Sequence, residues 1–289
     1  MKDKLLEELQ KLNSTIERIA RALVPEPDPS VLDHYIAFRA ENRADRLYLK
    51  GIKNPDPITF SELFGIDYVV ERLRKNTLQF LKGLPCNHVL LYGPRGVGKS
   101  SCIKALLNEY SGKGLRIIEI HKKDLLLLPE LLEILQDRKE RYILFCDDLS
   151  FDKEDRSFRQ LKALLEGGLQ AHPDNILMYA TSNRRHLMPE YMKDNLPVED
   201  ENGEVHPSET LEEKISLSDR FGLRIGFKQF GPDTYLNIVK NYIDLRGIKV
   251  SYKELTSRAM QWALEHGSYS GRTARQFVDN LEGELKLAS

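Results

Sequence analysis

The feature that most constrains the fold is a strand, a glycine-rich turn and a helix that follow one another between residues 88 and 103. The apolar run 88–92 predicts a buried strand, and after Ser100 the apolar residues recur at helical spacing. Between them, residues 93–100 fit the pattern G-x-x-x-x-G-K-[ST]. In such a loop the backbone N–H groups and the helix N-terminus surround phosphate groups, which the glycines allow to approach closely. The sequence therefore predicts a nucleotide-binding protein.

Individual positions of this loop have expected roles. Lys99 is expected to reach the β- and γ-phosphates, and the Ser100 hydroxyl to bind Mg²⁺. The residues predicted to bind the nucleotide are Gly93, Pro94, Arg95, Gly96, Val97, Gly98, Lys99, Ser100 and Ser101. The expected ligands are ATP or ADP, together with Mg²⁺.

Composition restricts the class of protein further. The 289 residues include 43 Lys and Arg against 44 Asp and Glu, so the overall charge gives no nucleic-acid signature. No apolar stretch approaches the ~20 residues of a membrane span. Acids stand near the N-terminus where a signal peptide has its apolar core. The three cysteines lack metal spacing and are typical of reduced residues in a core. We expect a cytoplasmic protein with no membrane partner.

Residues 1–59 predict a helical N-terminal region. Between residues 4 and 23, apolar side chains alternate at spacings of four and three: Leu5, Leu9, Leu12, Ile16, Ile19 and Leu23. Such a seam is typical of a helix that packs on its own domain or a neighbour, and a short coiled-coil dimer is the alternative. A proline-rich linker follows at residues 25–29, and the apolar residues of 31–49 predict a second helix.

Polar residues follow two of the later predicted strands. The strand at 142–149 ends in Asp147, which is expected at the sheet edge near the Mg²⁺ held by Ser100, and in Asp148. Asp148 is placed to orient or deprotonate an attacking water. Asn183 follows the strand at 175–181 and is expected to hydrogen-bond that water or the γ-phosphate. The alternative for Asn183 is a turn residue with a positive φ.

Other segments predict the surroundings of the loop. Phe64 and Ile66 lie on either side of a glycine before the helix that precedes the loop, where an adenine ring could rest. Strands are also expected at 115–121 and 223–230, and a leucine-rich helix is expected at 124–138, with Pro129 in its middle or at a new first turn. Residues 187–207 predict a hairpin-like insertion, a helix follows at 208–218, and residues 231–289 are helical throughout.

This order of elements resembles an AAA+ ATPase. The resemblance implies an α/β fold: a five-stranded parallel αβα core over residues 60–230 with a small helical lid over 231–289. It implies that Asn183 is sensor 1 and that Arg220 is an arginine finger for a neighbouring subunit of a homo-oligomer, of which a ring is one form. It further implies that Arg272 is the sensor 2 arginine, with Arg275 as the alternative. A structural ion pair with Asp219 or another nearby acid is the other interpretation of Arg220.

Several stretches carry a closer resemblance: LFGID (63–67), TSNRRHL (181–187), EKISLSDRFGL (213–223) and SGRTARQF (270–277). They are similar to a bacterial AAA+ family without an assigned function. One departure is Asp148, because most AAA+ proteins have the longer glutamate there. The shorter acid favours a slow ATPase.

Three functions follow as hypotheses. The first is an oligomeric, Mg²⁺-dependent ATPase that remodels a protein or nucleic-acid partner. The second is a nucleotide-dependent switch or scaffold that binds ATP but hardly turns it over. The third, a small-molecule P-loop kinase, leaves Arg220 and the helical C-terminus unexplained.

Overall fold

A seven-stranded sheet lies at the centre of the fold. The structure is a computed structural model that describes residues 2–23, 28–44, 46–151, 156–166, 173–183, 187, 198–199, 205–206 and 217–287. The strands of the sheet are β1 (Ala37–Arg43), β2 (Arg46–Gly51), β3 (Val89–Tyr92), β4 (Leu115–Ile120), β5 (Arg141–Cys146), β6 (Ile176–Ser182) and β9 (Leu223–Gly226). Their order across the sheet is β2-β1-β4-β5-β6-β3-β9, and every neighbouring pair is parallel except β1 and β2. Two further strands, β7 (Val198–Glu199) and β8 (Val205–His206), pair antiparallel with each other in a separate sheet.

Helices cover both faces of the large sheet, which is why its central strands are apolar almost throughout. The α-helices are α1 (Lys2–Leu23), α2 (Val31–His34), α3 (Asp67–Leu81), α4 (Lys99–Tyr110), α5 (Leu128–Leu135), α6 (Arg156–Glu166), α7 (Pro232–Arg246), α8 (Tyr252–Glu265) and α9 (Gly271–Leu287). One core cluster joins α3, α4 and the three C-terminal helices to one face of the sheet. A second cluster packs α2, α5 and α6 on the other face. The expected α/β fold with a C-terminal helical unit is confirmed.

The predicted second helix of the N-terminal region is wrong. Within the described residues of 31–49 only α2 is helical, and β1 and β2 form an antiparallel hairpin, which adds two strands to the expected five. The residues alternate with a period of two: Phe38 and Ala40 are buried, whereas Arg39 and Glu41 face the other side. Because alternate residues of a strand point to opposite faces, this pattern fits a half-covered strand better than a helix.

Helix α1 presents its apolar seam to solvent in this single chain. Leu9, Leu12 and Ile16 are each more than half exposed. The described side chains of the seam therefore do not pack on the domain that follows, which was one of the expected arrangements. An association with another chain remains the open alternative for this surface.

The structure can also be compared with the predictions for three shorter segments, at 124–138, 187–207 and 208–218. Residues 122–127 form a 3₁₀ segment, and Pro129 lies in the first turn of α5, where its missing N–H costs no helical bond. The pair β7–β8 lies within the predicted hairpin-like insertion. The helix predicted at 208–218 falls almost entirely outside the described residues. None of the described helices is both long and apolar enough to cross a membrane.

Candidate nucleotide-binding site

The turn between β3 and α4 is held in a conformation that requires glycine. Gly93 has φ +138°, and a Cβ atom there would lie 2.5 Å from the carbonyl oxygen of Phe227. Gly96 has φ +77°, and a Cβ atom there would lie 2.8 Å from Ser270 Oγ. Since L side chains rarely adopt such φ values, the loop passes close to two neighbouring segments only because these residues lack a side chain. The backbone is thus folded as a cradle.

Lys99 starts α4 and is buried inside this cradle. Its Nζ donates to the carbonyl oxygens of Gly93 at 2.7 Å and Pro94 at 2.6 Å, and to Asn183 Oδ1 at 3.0 Å. Burial lowers the pKa of Lys99 below its ordinary value, although the nearby Asp147 and Asp148 carboxylates act in the opposite direction. A buried ammonium group whose charge is disfavoured is suited to receive an anionic ligand.

Ser100 and Asp147 meet next to the lysine. The Ser100 hydroxyl donates to Asp147 Oδ1 at 2.6 Å, and the Thr181 hydroxyl donates to the same oxygen at 2.5 Å. A hydroxyl and a carboxylate oxygen are hard ligands of the type that Mg²⁺ prefers. The two residues predicted to hold Mg²⁺ therefore fit it in position and in chemistry.

Asp148 has an unusual backbone conformation and three polar neighbours. Its φ is +52°, and its amide donates to Thr181 Oγ1 at 2.9 Å. Its Oδ1 accepts a hydrogen bond from Asn183 Nδ2, and its Oδ2 lies 3.8 Å from an Arg95 nitrogen. Among the described non-glycine residues, positive φ occurs at Asp148 and Ala44 only. The alternative interpretation of Asn183, a turn residue with positive φ, is therefore wrong.

These groups line one end of a cleft of about 500 Å³. The wall includes most of the predicted loop residues, namely Arg95, Gly96, Val97, Gly98, Lys99, Ser100 and Ser101. Gly93 and Pro94 are not part of this wall, but their carbonyl oxygens accept hydrogen bonds from Lys99 Nζ. Asp147, Asp148 and Asn183 complete the polar end.

The rest of the cleft wall includes several apolar residues. Phe64 and Ile66, the two residues predicted to contact the base, are among them. The wall also contains apolar residues for which the sequence predicted no role in binding: Ile58, Leu63, Phe230, Ile238 and Tyr242. Ile238 and Tyr242 are four residues apart on α7, a helical spacing that places both on one face. That spacing is visible in the sequence, but it does not reveal what the face contacts.

The C-terminal helices close one side of the cleft. Arg272 and Arg275 both line it, and the Arg272 amide donates to the Gly96 carbonyl at 3.3 Å. The start of α9 therefore rests directly on the phosphate loop. A further contact fixes α7, because the Asn241 side-chain amide donates to the Ser61 carbonyl at 2.9 Å.

Arg220 does not line this cleft. It lies just before β9, which pairs in parallel with β3, so Arg220 is at the edge where the strands begin. The phosphate loop lies at the opposite edge, where β3 ends. Asp219, the partner that one interpretation assigned to Arg220, forms an ion pair with Arg224. The chain's own cleft and Arg220 are thus at opposite ends of the sheet.

The fold and this site define the class of the protein. A parallel arrangement β9-β3-β6-β5-β4, with a phosphate loop after β3, acids after β5 and a helical unit packed on the loop, is a P-loop α/β fold, and it agrees with the five-stranded parallel core and helical lid that the resemblance to AAA+ proteins implies. The family follows from the sequence: residues 33–285 match the family model described as "Protein of unknown function (DUF815)". The match spans most of the chain, which therefore belongs to this family.

Comparison with curated proteins and with solved structures adds little to this family assignment. No curated protein matches the sequence. Solved structures that are similar in fold include a point mutant of Thermotoga maritima RuvB, with a TM-score of 0.47 at 15% identity over 78% of this chain and 72% of that chain. A second point mutant and the Thermotoga maritima RuvB Holliday junction branch migration motor each give a TM-score of 0.46 at 16% identity, with the same coverage. At these values the likeness does not extend to function.

Proposed function

We propose that this protein binds ATP with Mg²⁺ and hydrolyses it at a site that a neighbouring subunit completes. The observation that carries the proposal is the linked set of polar groups at one end of the cleft. Lys99 is hydrogen-bonded to Asn183, Asn183 is hydrogen-bonded to Asp148, and the Ser100–Asp147 pair lies alongside. Such a set combines a phosphate-binding cation, a metal-binding pair and an acid for a water molecule.

Each residue of the site has a role that follows from its chemistry. The backbone of residues 93–101 surrounds the phosphates, and Lys99 neutralises their charge. Ser100 and Asp147 hold Mg²⁺, which when bound supplies positive charge to the phosphate oxygens. Asp148 accepts a proton from the attacking water, and Asn183 fixes the orientation of that acid. Phe64 and Ile66 pack against the base, so that ATP and ADP are both retained.

Arg220 is proposed to act on the cleft of the next subunit. A strand of four residues separates the edge that carries Arg220 from the edge that carries the loop, about 13 Å at the rise of a β-strand. A second copy that approaches head to tail would bring Arg220 to the open side of a neighbouring cleft. Arg272 and Arg275, which line the chain's own cleft, supply positive charge from within the subunit. Hydrolysis then requires a homo-oligomer.

Coupling to a partner is proposed to run through the C-terminal helices. The hydrogen bond from Arg272 to Gly96 joins α9 to the phosphate loop, so a change at the phosphates is transmitted to the helical unit. Movement of this unit would remodel a protein or nucleic-acid partner. The near-equal numbers of acidic and basic residues favour neither class of partner.

A second function, a slow nucleotide-dependent switch or scaffold, is favoured by one observation. Asp148, the proposed acid, is already engaged by Asn183 and lies near Arg95. If these contacts persist with ATP bound, the acid is not available to a water molecule, and the chain holds ATP without turning it over.

Steady-state turnover separates the two functions. Wild type, Lys99→Ala and Asp148→Asn would be compared for ATP binding and for phosphate release with Mg²⁺. The ATPase proposal expects Asp148→Asn to bind ATP but to release phosphate on the order of a hundredfold more slowly than wild type. Lys99→Ala should bind ATP weakly. Equal and near-zero turnover in wild type and Asp148→Asn would support the switch, and absence of ATP binding by wild type would contradict both.

A further inference from the structure

A single buried hydroxyl connects the two acids that follow β5. Thr181 is 1% exposed, and its Oγ1 lies 2.5 Å from Asp147 Oδ1 and 2.9 Å from the Asp148 amide nitrogen. An ionised carboxylate can only accept, so the hydroxyl donates its one proton to Asp147. Its lone pairs then accept the Asp148 N–H. Both hydrogen bonds of this hydroxyl are thus fixed in direction.

The same residue holds the turn after the acids. Leu149 N donates to the Thr181 carbonyl at 2.7 Å, so side chain and backbone of Thr181 together bind residues 147–149. Within this turn Asp148 has φ +52°, the left-handed conformation, which aspartate and asparagine tolerate better than longer side chains. From this backbone conformation the Asp148 carboxylate reaches Asn183.

We propose that Thr181 is a positioning residue that sets Asp147 beside Ser100 and holds Asp148 in its left-handed turn. The inference rests on the proposed function and adds a residue to it. It also gives a physical reason for aspartate instead of glutamate at position 148. The left-handed turn accepts aspartate, and its backbone brings the Asp148 carboxylate to Asn183 without the extra methylene group of glutamate. Glutamate at position 148 would have to adopt a backbone conformation that it disfavours.

The test compares Thr181→Val, which keeps the shape and removes the hydroxyl, with Thr181→Ser, which keeps the hydroxyl. Thr77→Val is the matched control, because Thr77 is also buried and its hydroxyl lies 3.0 Å from the Tyr179 hydroxyl, outside the cleft. Calorimetry would measure the affinity for a non-hydrolysable ATP analogue with Mg²⁺ and with EDTA. Thermal unfolding without nucleotide would show that each variant is folded.

Mg²⁺ should raise the affinity of wild type for the analogue, and this gain should be about ten- to a hundredfold smaller in Thr181→Val. A loss of that size is usual when a residue that orients a metal ligand is removed. The affinity of Thr181→Val in EDTA should match wild type, and Thr181→Ser and Thr77→Val should keep the Mg²⁺ effect. If wild type gains affinity from Mg²⁺ and Thr181→Val gains as much, the positioning role is overturned while the proposed function stands. If wild type gains nothing from Mg²⁺, the proposed function fails first.

A second variant tests the turn without altering Thr181. Asp148→Glu should turn over ATP more slowly than wild type while its affinity for the analogue stays the same. Turnover by Asp148→Glu at or above the wild-type rate would overturn the argument from the left-handed backbone.

Discussion

Replacing Gly93 by alanine tests the conformation of the phosphate loop most sharply. A Cβ atom at Gly93 would lie 2.5 Å from the Phe227 carbonyl oxygen and 3.0 Å from Phe227 Cβ, at φ +138°. The disfavoured backbone costs about 1–3 kcal/mol, and the forced contact with a packed backbone costs about another 1–3 kcal/mol. We therefore expect Gly93→Ala to lower the free energy of unfolding by roughly 2–6 kcal/mol.

Urea denaturation followed by circular dichroism would measure this loss. Gly112→Ala is the control, because a Cβ atom there meets nothing within 4 Å and its φ is not positive. Its unfolding free energy should stay within about 0.5 kcal/mol of wild type. The thermal midpoint of Gly93→Ala should fall by roughly 5–15 °C at the usual conversion for a domain of this size. If Gly93→Ala is as stable as Gly112→Ala, the loop does not pass as close to Phe227 as described, and the reasoning is refuted.

Three further predictions concern Lys99, the apolar residue Phe64 in the cleft wall, and Tyr179 in the core. Burial lowers the pKa of Lys99, and bound phosphates should raise it again, so nucleotide binding should take up a proton at alkaline pH. Affinity should then fall as the pH rises through the lowered pKa, and calorimetry in buffers of different ionisation enthalpy would detect the proton; an affinity that does not change with pH would contradict this. Phe64→Ala should weaken ATP binding roughly three- to tenfold and leave tripolyphosphate binding unchanged, whereas equal losses for both ligands would exclude a contact with the base. Tyr179→Phe should destabilise the protein by about 1–3 kcal/mol in urea, because the buried Asn76 and Thr77 side chains lose a common partner; an unchanged midpoint would show that this network contributes nothing.

The sequence predicted the polar end of the cleft because the order of the elements determines it. Asp147, Asp148 and Asn183 each follow a strand, and parallel strands end at the same edge of a sheet as the phosphate loop. Spacing along the chain is therefore sufficient to bring these groups together. The assignment to the AAA+ class came from a resemblance, and the strand order agrees with it.

Other parts of the site depend on packing that spacing does not encode. Thr181 is an ordinary strand residue in the sequence, and its contact with two acids depends on the turn after β5. Ile238 and Tyr242 are recognisable as one face of a helix, but the position of that helix over the cleft follows from contacts with distant residues. The hairpin β1–β2 was missed because Leu32, Tyr35 and Ile36, which stand just before it, recur at helical spacing, and the predicted helix was extended from them across the alternating residues of β1.

The central claim is that two subunits form one catalytic site, and mixing two inactive variants tests it most directly. Arg220→Ala subunits keep an intact cleft, and Asp148→Asn subunits keep Arg220. When equal amounts are mixed, about a quarter of head-to-tail interfaces pair an intact cleft with an intact Arg220. The proposal predicts that each variant alone binds ATP without hydrolysing it and that the mixture recovers about a quarter of the wild-type rate. A mixture as inactive as its components, or full activity of Arg220→Ala alone, would contradict the shared site.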